Sequence, residues 1–579
     1  MDLTKLLKYM KGYTASAVSA PFFKVLEAIF ELMIPLVMKN IIDIGIAAGD
    51  KPYIFRMCGL LVLLGLVGFT CTMFAQYFAA KAAVGFSKNI RSALFAHTQK
   101  LSFSDIDRMG TSTMITRMTS DITQVQSGVN LTLRLFSRSP VIVFGSMIMA
   151  FTIDVKAALV FAVAIPVLCV VVFGIMLAGI PLYRKVQTGL DRVLGITREN
   201  LSGTRVIRAF ADEENEIREF DRHNAALTAV QKFAGKISAL MNPLTYLIIN
   251  LAIIVLIHVG ALRVEAGVIT QGAVIALYNY MSQILIELVK LANLIITMTK
   301  SAACADRIEA MLEDGGAPRP TAENKEKQND FAVTFRHVGL TYQNASDESL
   351  TDIDFTVRRG ETVGIIGGTG SGKTSLVELI PRFYDATRGE VLIDGIDVRA
   401  YSDDILKKKI GIVMQKAVLF HGTIRENIRW GKPDATDEEI WRALDTAQAR
   451  DVVEGKEGGL DYVIEQGGKN LSGGQRQRLG IARSLVGNPD IIIFDDSASA
   501  LDYATDARLR AAVRTMEGEH TVFIVSQRAA SISHADQIIV LDDGRIAGRG
   551  THAELLESCP VYQEIYYSQF PREKEETRI

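Results

Sequence analysis

Two short stretches of the sequence combine residue types that suit phosphate and metal chemistry. The first, GGTGSGKT, follows the apolar stretch TVGII and precedes SLVELI. A glycine-rich turn between a strand and a helix lets successive backbone N–H groups surround phosphate oxygens. The spacing predicts that Lys373 reaches the β- and γ-phosphates of a nucleotide and that Thr374 ligates Mg²⁺. The predicted nucleotide-binding residues are Gly367, Gly368, Thr369, Gly370, Ser371, Gly372, Lys373, Thr374 and Ser375.

The second stretch, IIIFDDSASALD, runs from Ile491 to Asp502 and predicts a buried strand that ends in two carboxylates. An apolar run of this kind, bounded by acids, suits a parallel strand with both faces covered. Asp495 is a predicted Mg²⁺ ligand, either directly or through water. Asp496 stands where a nucleotide-hydrolysing enzyme needs a base, but a longer carboxylate would be usual there.

The distribution of apolar residues predicts how the chain divides into domains and which domain contains these motifs. The chain has 579 residues, a net charge of −2 and a mean hydropathy of +0.20. Long apolar runs before about residue 310 give way to an alternation typical of a soluble α/β protein. The sequence therefore predicts a transmembrane domain at 1–310, a polar linker at 311–330 and a nucleotide-binding domain at 331–579. The charge gives no support for nucleic-acid binding.

Six segments of the first half are apolar and long enough to span a bilayer, which takes about 20 residues. Basic residues concentrate in the two long loops of this half, which predicts that both loops and both termini are cytoplasmic. The N-terminal MDLTKLLKYMKGY is typical of an amphipathic helix on the membrane surface. We expect a multi-pass protein of the cell (plasma or inner) membrane, with spans near 15–40, 55–82, 134–153, 156–181, 243–263 and 267–295.

Polar residues recur at every fourth position on two of these segments, and hence on one face of each helix. Because intramembrane acids are costly, we hypothesise that these faces line a water-accessible cavity that favours cationic or polar-tipped substrates. The alternative is interhelical hydrogen bonding, or local pairing of Lys24 with Glu27 and of Glu287 with Lys290. The candidate cavity residues are Glu27, Glu31, Asn279, Gln283 and Glu287.

The second half resembles ATP-binding-cassette domains through its ordered series of motifs. LSGGQRQR, which begins at Leu471, matches the family signature, and IVMQKAVLF resembles the Q-loop through Gln415. Tyr342 in TYQ stands where the family stacks an aromatic ring on adenine, and SALD at 499–502 resembles the D-loop. The segment 199–220 is similar to the second cytoplasmic loop of type I exporters. The resemblance to a type I ABC exporter half-transporter therefore covers nearly the whole chain.

The resemblance implies a membrane all-α six-helix transmembrane domain followed by an α/β P-loop nucleotide-binding domain. It also implies a dimer with ATP and Mg²⁺ at the interface, each nucleotide held by the P-loop of one chain and the signature of the other. Small side chains and backbone donors ahead of a helix suit the signature to bind γ-phosphate. The implied metal ligands are Thr374, Gln415 and Asp495, the D-loop residue is Asp502, and the signature residues are Leu471, Ser472, Gly473, Gly474 and Gln475.

Two departures from the family pattern concern the catalytic residues Asp496, Gln527 and Gln415. Asp496 replaces a glutamate that polarises the attacking water, and Gln527 replaces the switch histidine. Glutamine donates a hydrogen bond but cannot become cationic. Together the two changes cost about 3–5 kcal/mol of transition-state stabilisation. ATP binding is expected to persist, with weak hydrolysis at this chain's own P-loop.

These features predict one subunit of a heterodimeric, ATP-hydrolysing exporter that moves amphipathic or hydrophobic compounds, drugs or lipids, out of the cytoplasm. Its expected partners are a second ABC half-transporter, whose active site this chain's signature completes, and the lipid bilayer. Two alternatives stay open. One is a homodimeric lipid or drug flippase, and the other is a nucleotide-gated channel or regulator that uses ATP only as a ligand.

Overall fold

The structure, a computed structural model, describes residues 6–313, 315, 330–343, 345–497 and 501–570. The chain divides into two compact units. The helical unit comprises Met1–Gln99 and Ser112–Asp314, and the nucleotide unit comprises Lys100–Thr111 and Gly315–Ile579. In this division the helical unit extends to Asp314, and the short segment Lys100–Thr111 groups with the nucleotide unit. The predicted domain boundary near residue 310 stays a prediction.

Helices make up the first half of the chain. The longest has 56 residues, which corresponds to about 84 Å at 1.5 Å per residue, well beyond a hydrocarbon core of about 30 Å. The helices are α1 Thr14–Asn40, α2 Lys51–Thr98, α3 Phe103–Met109, α4 Thr111–Thr116, α5 Ile122–Leu135, α6 Arg138–Ile153, α7 Val155–Phe210, α8 Glu213–Ala239, α9 Met241–Glu265 and α10 Gln271–Glu313.

Among the described residues, five helical stretches are long and apolar enough to cross a membrane. The helix α1 is not one of them, because Lys24, Glu27 and Glu31 all lie in its middle. Its role as a span stays a prediction at this point. The five stretches are Lys51–Thr98, Thr111–Ile153, Val155–Phe210, Glu213–Glu265 and Gln271–Glu313.

Irregular segments separate several of these helices. The predicted N-terminal amphipathic helix is, in its described part, a short 3₁₀ helix at Leu6–Met10. π-helical turns occur at Ile41–Ile46 and Arg117–Asp121, and such turns are rare and interrupt the regular hydrogen-bond ladder. The helix α10 extends to Glu313, so the first residues of the predicted linker are helical. Residues 314 and 316–329 of that linker lie outside the described residues.

The nucleotide unit contains α3 and the alternating strands and helices predicted for an α/β domain. Its strands are β1 Phe331–Leu340, β2 Leu350–Arg358, β3 Thr362–Gly367, β4 Arg388–Ile393, β5 Ile396–Asp397, β6 Ile410–Val413, β7 Gly422–Thr423, β8 Val463–Ile464, β9 Ile491–Asp495, β10 Thr521–Val525, β11 Gln537–Asp542 and β12 Arg545–Gly550. Its further helices are α11 Lys373–Glu378, α12 Asp403–Lys409, α13 Ile424–Arg429, α14 Asp437–Thr446, α15 Arg450–Glu454, α16 Gly473–Leu485, α17 Tyr503–Arg514, α18 Ala529–Ile532, α19 His552–Ser558 and α20 Pro560–Gln569.

A six-stranded sheet positions the chemical motifs. Its order is β12–β11–β3–β10–β9–β6, with β12 antiparallel at one edge and the other five strands parallel. Val525 at the end of β10 pairs with Ile365 of β3 on one side and with Asp495 of β9 on the other. The glycine-rich turn after β3 and the acids after β9 therefore leave the same edge of the sheet, where ligands bind in α/β folds.

Apolar layers cover both faces of this sheet. The predicted strand Ile491–Asp495 is confirmed, and all five of its residues are buried. An antiparallel sheet, β2–β1–β4–β5, packs on one face of the six-stranded sheet, with Phe335 and Phe355 paired across β1 and β2 at 4.6 Å between ring centroids. Helices α13 to α17 contribute buried residues to a second cluster on the opposite face. The parallel strands are thus shielded from water, as their continuous apolar sequences require.

Candidate functional site

The glycine-rich turn has the geometry of a phosphate cradle. Gly370 and Gly372 have φ of 82° and 92°, values that favour glycine. Lys373 begins α11 and folds back over the turn, where its Nζ donates to the carbonyl oxygens of Gly367 at 3.0 Å and Gly368 at 2.6 Å. Burial lowers the pKa of the Lys373 ammonium, and the charges of the acids after β9 oppose that shift. The ammonium is thus held at the mouth of the loop, where phosphate would bind.

Asp495, which ends β9, and Asp496, which follows it, have different surroundings. Asp495 is buried, and its Oδ1 accepts a hydrogen bond from Thr374 Oγ1 at 3.1 Å. Burial raises the pKa of Asp495, and the Thr374 hydrogen bond opposes that rise. Asp496 has a left-handed backbone with φ of 43°, and its Oδ2 accepts from Gln415 Nε2 at 3.3 Å. A hydroxyl, a carboxylate and an amide thus converge, which are oxygen donors of the kind that Mg²⁺ takes together with substrate phosphates.

A cavity of about 460 Å³ brings the predicted chemical residues together. Gly367, Gly368 and Ser371 are not among the residues that line this cavity. Lining residues that sequence reasoning missed are Asp347, Glu348, Ser349, Val525, Asp543 and Gly544. The predicted residues that line the cavity are Thr369, Gly370, Gly372, Lys373, Thr374, Ser375, Gln415, Asp495, Asp496 and Gln527.

Tyr342 lies beside the cradle and is the first residue in a series of contacts that ends at α3. Its hydroxyl donates to Ser375 Oγ at 2.8 Å, and its ring meets Tyr384 edge-on at 5.0 Å between centroids. The Tyr384 hydroxyl in turn donates to Asp107 Oδ2 of α3 at 2.5 Å. Sequence reasoning missed Tyr384 and Asp107, because no motif links residues so far apart in the chain. Tyr342, the adenine-stacking candidate, is therefore linked to α3 only through Tyr384 among these contacts.

The signature segment forms the start of α16 and is not among the residues that line the cavity. Ser472 is the N-cap, where its Oγ accepts from the Gln475 backbone N–H at 3.3 Å, while Gln475 Oε1 accepts from the Ser472 N–H at 3.0 Å. Asp502 caps α17 by accepting from the Thr505 N–H at 2.8 Å. Residues 499 and 500 of the predicted D-loop lie outside the described residues. That the signature serves another chain's nucleotide stays a prediction.

The polar residues of the helical unit are organised around a residue that sequence reasoning missed. Arg138, buried at the start of α6, lies 2.6 Å from a carboxylate oxygen of Glu287 and 2.5 Å from one of Glu31. The local pairs named as the alternative, Lys24–Glu27 at 2.6 Å and Glu287–Lys290 at 2.8 Å, are both present.

Among the described residues, the two candidate cavity amides of α10 have no charged partner of this kind. Asn279 and Gln283 are half-buried, and Gln283 Oε1 has no hydrogen-bond partner among the described residues. The unpartnered amide oxygen, one turn from Glu287, is compatible with a polar cavity. That these residues line a transport cavity stays a prediction.

Comparisons with known proteins agree with both halves of this description. Residues 18–288 match the model for the ABC transporter transmembrane region, and residues 350–499 match the ABC transporter model. An uncharacterized ABC transporter ATP-binding protein of Mycobacterium tuberculosis is 37% identical over 98% of each chain. The chain belongs to the ABC transporter family. Because the transmembrane match begins at residue 18, α1 is part of that region of the transporter.

A second relative and a solved structure refine the comparison. The ATP-dependent lipid A-core flippase of Thiobacillus denitrificans is 30% identical to this ABC transporter over 98% of each chain. The structure of a bacterial Atm1-family ABC exporter with ATP bound superposes with a TM-score of 0.81, covering 96% of this chain and 99% of that one, at 23% identity. The predicted fold class, a helical membrane domain followed by an ABC nucleotide-binding domain, is therefore confirmed.

Proposed function

We propose that this ABC transporter is one half of a heterodimeric, ATP-driven exporter of amphipathic compounds. Its own P-loop site binds ATP and hydrolyses it slowly, while its signature completes a faster site on the partner. The observation that carries the proposal is Asp496, which stands after β9 where the resemblance places a catalytic glutamate. The intact cradle supports ATP binding, with Thr374, Asp495 and Gln415 as the residues that would hold Mg²⁺.

The geometry around Asp496 supports weak water activation. Aspartate is one methylene shorter than glutamate, so its carboxylate retreats by about 1.5 Å. The Asp496 N–H donates to the Val525 carbonyl at 3.1 Å and the side chain accepts from Gln415. Because these contacts fix the Asp496 backbone against the sheet, the backbone does not shift toward the nucleotide to compensate for the shorter side chain. A displacement of this size costs about 100-fold in rate.

Gln527 supports the same conclusion. Its side chain is exposed and lines the cavity, and its backbone carbonyl accepts from Gln569 Nε2 at 2.7 Å. A neutral amide at this position offers the γ-phosphate a hydrogen bond but no positive charge. ATP retained in such a site contributes binding energy that favours the associated state of the two nucleotide domains, without a hydrolytic step.

A homodimeric lipid flippase is the second candidate. The observation in its favour is the flippase relative, which is 30% identical along 98% of each chain. In a homodimer, both composite sites would use Asp496. The two proposals therefore differ in the turnover expected of this chain without another half-transporter.

The test is the double variant Asp496→Glu with Gln527→His, compared with the single Asp496→Asn. In lipid vesicles, the wild-type chain alone should turn over ATP at least about 100-fold more slowly than a typical enzyme rate of about 10 s⁻¹. The double variant should raise turnover by about 10–100-fold, because it restores the reach and the imidazole. Asp496→Asn should change the slow wild-type rate little, and nucleotide binding should be equal in all three proteins.

The same variants identify the other outcomes. Fast turnover by the wild-type chain alone that Asp496→Asn abolishes would contradict the heterodimer and favour the flippase. Tight ATP binding with no turnover in any variant, alone or with a second half-transporter, would favour a regulator that uses ATP as a ligand.

A further inference from the structure

Arg138 is surrounded by carboxylates from two other helices. Its Nη1 lies 2.6 Å from Glu287 Oε1 of α10, and its Nη2 lies 2.5 Å from Glu31 Oε2 of α1. Its Nε lies 3.6 Å from Glu27 Oε1. The Arg138 side chain is only 9% exposed and that of Glu287 only 3%, so both charged groups are buried from solvent. Buried charges are tolerated when they are paired in this way.

Two lysines complete the group. Lys24 contacts Glu27 at 2.6 Å and Lys290 contacts Glu287 at 2.8 Å. Ser139 Oγ also donates to Glu287 Oε2 at 2.9 Å. The Arg138 cluster, as we name it, contains as many basic as acidic side chains and so has no net formal charge: Lys24, Glu27, Glu31, Arg138, Glu287 and Lys290.

The cluster is not sealed inside the helical unit. The side chain of Glu31 is 34% exposed and that of Lys290 is 42% exposed, whereas Lys24 is buried. Charged side chains in membrane helices face a bundle interior or a water-filled cavity instead of hydrocarbon. The exposed edge of the cluster, formed by Glu31 and Lys290, is therefore where polar cargo would meet it.

We propose that Arg138 sets the charge preference of the transported compound. The three acids of α1 and α10 alone would attract cations, but Arg138 and the two lysines together cancel that charge and leave a surface suited to neutral and zwitterionic amphiphiles. This inference rests on the proposed export of amphipathic compounds and adds a class of substrate to it. It also replaces the expectation that the acids favour cationic cargo.

The test changes the net charge of the Arg138 cluster by one unit in each single variant. Arg138→Gln leaves one excess negative charge, Glu31→Gln leaves one excess positive charge, and the double variant is balanced again. Glu31 is the chosen acid because it is the most exposed of the three, so its loss disturbs the buried pairs least. Arg138→Lys is the matched control, since it retains the charge but not the forked geometry.

The readout is ATP-dependent movement of three probes in vesicles that contain the assembled transporter. The probes share one alkyl chain and carry a trimethylammonium, a phosphocholine or a sulfate headgroup, at concentrations below micelle formation. The wild type should prefer phosphocholine. Arg138→Gln should shift the cation-to-anion ratio by about tenfold toward the cation, and Glu31→Gln by a similar factor toward the anion. The double variant and Arg138→Lys should restore the wild-type order.

Three results would overturn the inference. The first is a wild-type transporter that already prefers the cationic probe. The second is an equal loss of movement for all three probes in the Arg138 variants, together with an unchanged order of probe preference in Glu31→Gln. If Arg138→Gln does not fold, an unchanged order in Glu31→Gln alone is sufficient to overturn it. ATP-driven movement of no probe by the wild type, despite ATP turnover by the complex, would instead count against the proposed export of amphiphiles.

Discussion

At the scale of single residues, Gly367 shows how tightly the phosphate cradle is built. It ends β3 opposite Leu541 of β11, and a Cβ added there would lie 2.2 Å from the Leu541 carbonyl oxygen. Because that neighbour is backbone, it cannot rotate away, and overpacking of this kind costs about 1–3 kcal/mol. We expect Gly367→Ala to lower the Tm of the nucleotide-free transporter by about 3–10 °C, measured by scanning calorimetry.

Gly368, the next residue, is the matched control. A Cβ at Gly368 would meet no atom within 4 Å, and its backbone does not have a positive φ. Gly368→Ala should therefore leave the Tm within about 1 °C of wild type, since surface substitutions away from such contacts have small effects. Equal losses of Tm in the two variants would show that the close approach of β3 and β11 is not what requires glycine.

At the scale of elements, α3 packs against the residues beside the cradle. Phe103 stacks on Phe383 at 4.4 Å between centroids, and Asp107 accepts the hydrogen bond from Tyr384. Tyr384→Phe retains the ring that meets Tyr342 but removes the hydroxyl. We expect unchanged ATP affinity and at least about threefold weaker stimulation of ATPase activity by transported compound, because a hydrogen bond to a charged group contributes about 1.5–3 kcal/mol.

Two further variants distinguish an effect on the stimulation of ATPase activity by transported compound from an effect on ATP binding. Asp107→Asn retains a side chain of the same shape and should reproduce the loss of stimulation, because the charge that strengthens the bond is gone. Tyr384→Ala removes the ring against Tyr342 and should weaken ATP binding as well. A Tyr384→Phe variant that loses ATP affinity but responds normally to transported compound would contradict a coupling role for this contact.

Elements whose signal is local were predictable from the sequence, and contacts between distant elements were not. The turn from β3 to α11 and the strand Ile491–Asp495 are visible in a few consecutive residues, and the rule that parallel strands share one edge then brings them together. Arg138 and Glu287 lie 149 positions apart. Periodicity showed which face of α10 was polar, but the packing of long helices decides which cation meets it. The π-helical turn Ile41–Ile46 likewise leaves no mark in the hydrophobic pattern.

At the scale of the whole molecule, the proposed heterodimer predicts that substitutions in this chain's P-loop and in its signature lower the ATP turnover of the assembled pair to different extents. Its P-loop serves the slow site and its signature serves the partner's fast site. Lys373→Ala should therefore lower the ATP turnover of the assembled pair by no more than about threefold. Gly473→Asp should lower it by at least about 100-fold, because a carboxylate would face the γ-phosphate from the signature and like charges repel strongly at short range.

The signature variant is chosen so that the fold tolerates it. A Cβ at Gly473 meets no atom within 4 Å, and an acid in the first turn of α16 is favourable to the helix. Gly473→Ala, which adds the Cβ without the charge, should retain most of the turnover and so isolates the electrostatic effect. Comparable losses from Lys373→Ala and Gly473→Asp would mean that both composite sites turn over alike, as in a homodimer. The ratio of these two losses, measured in one preparation of the assembled transporter, therefore discriminates between the two assemblies even if both export the same compounds.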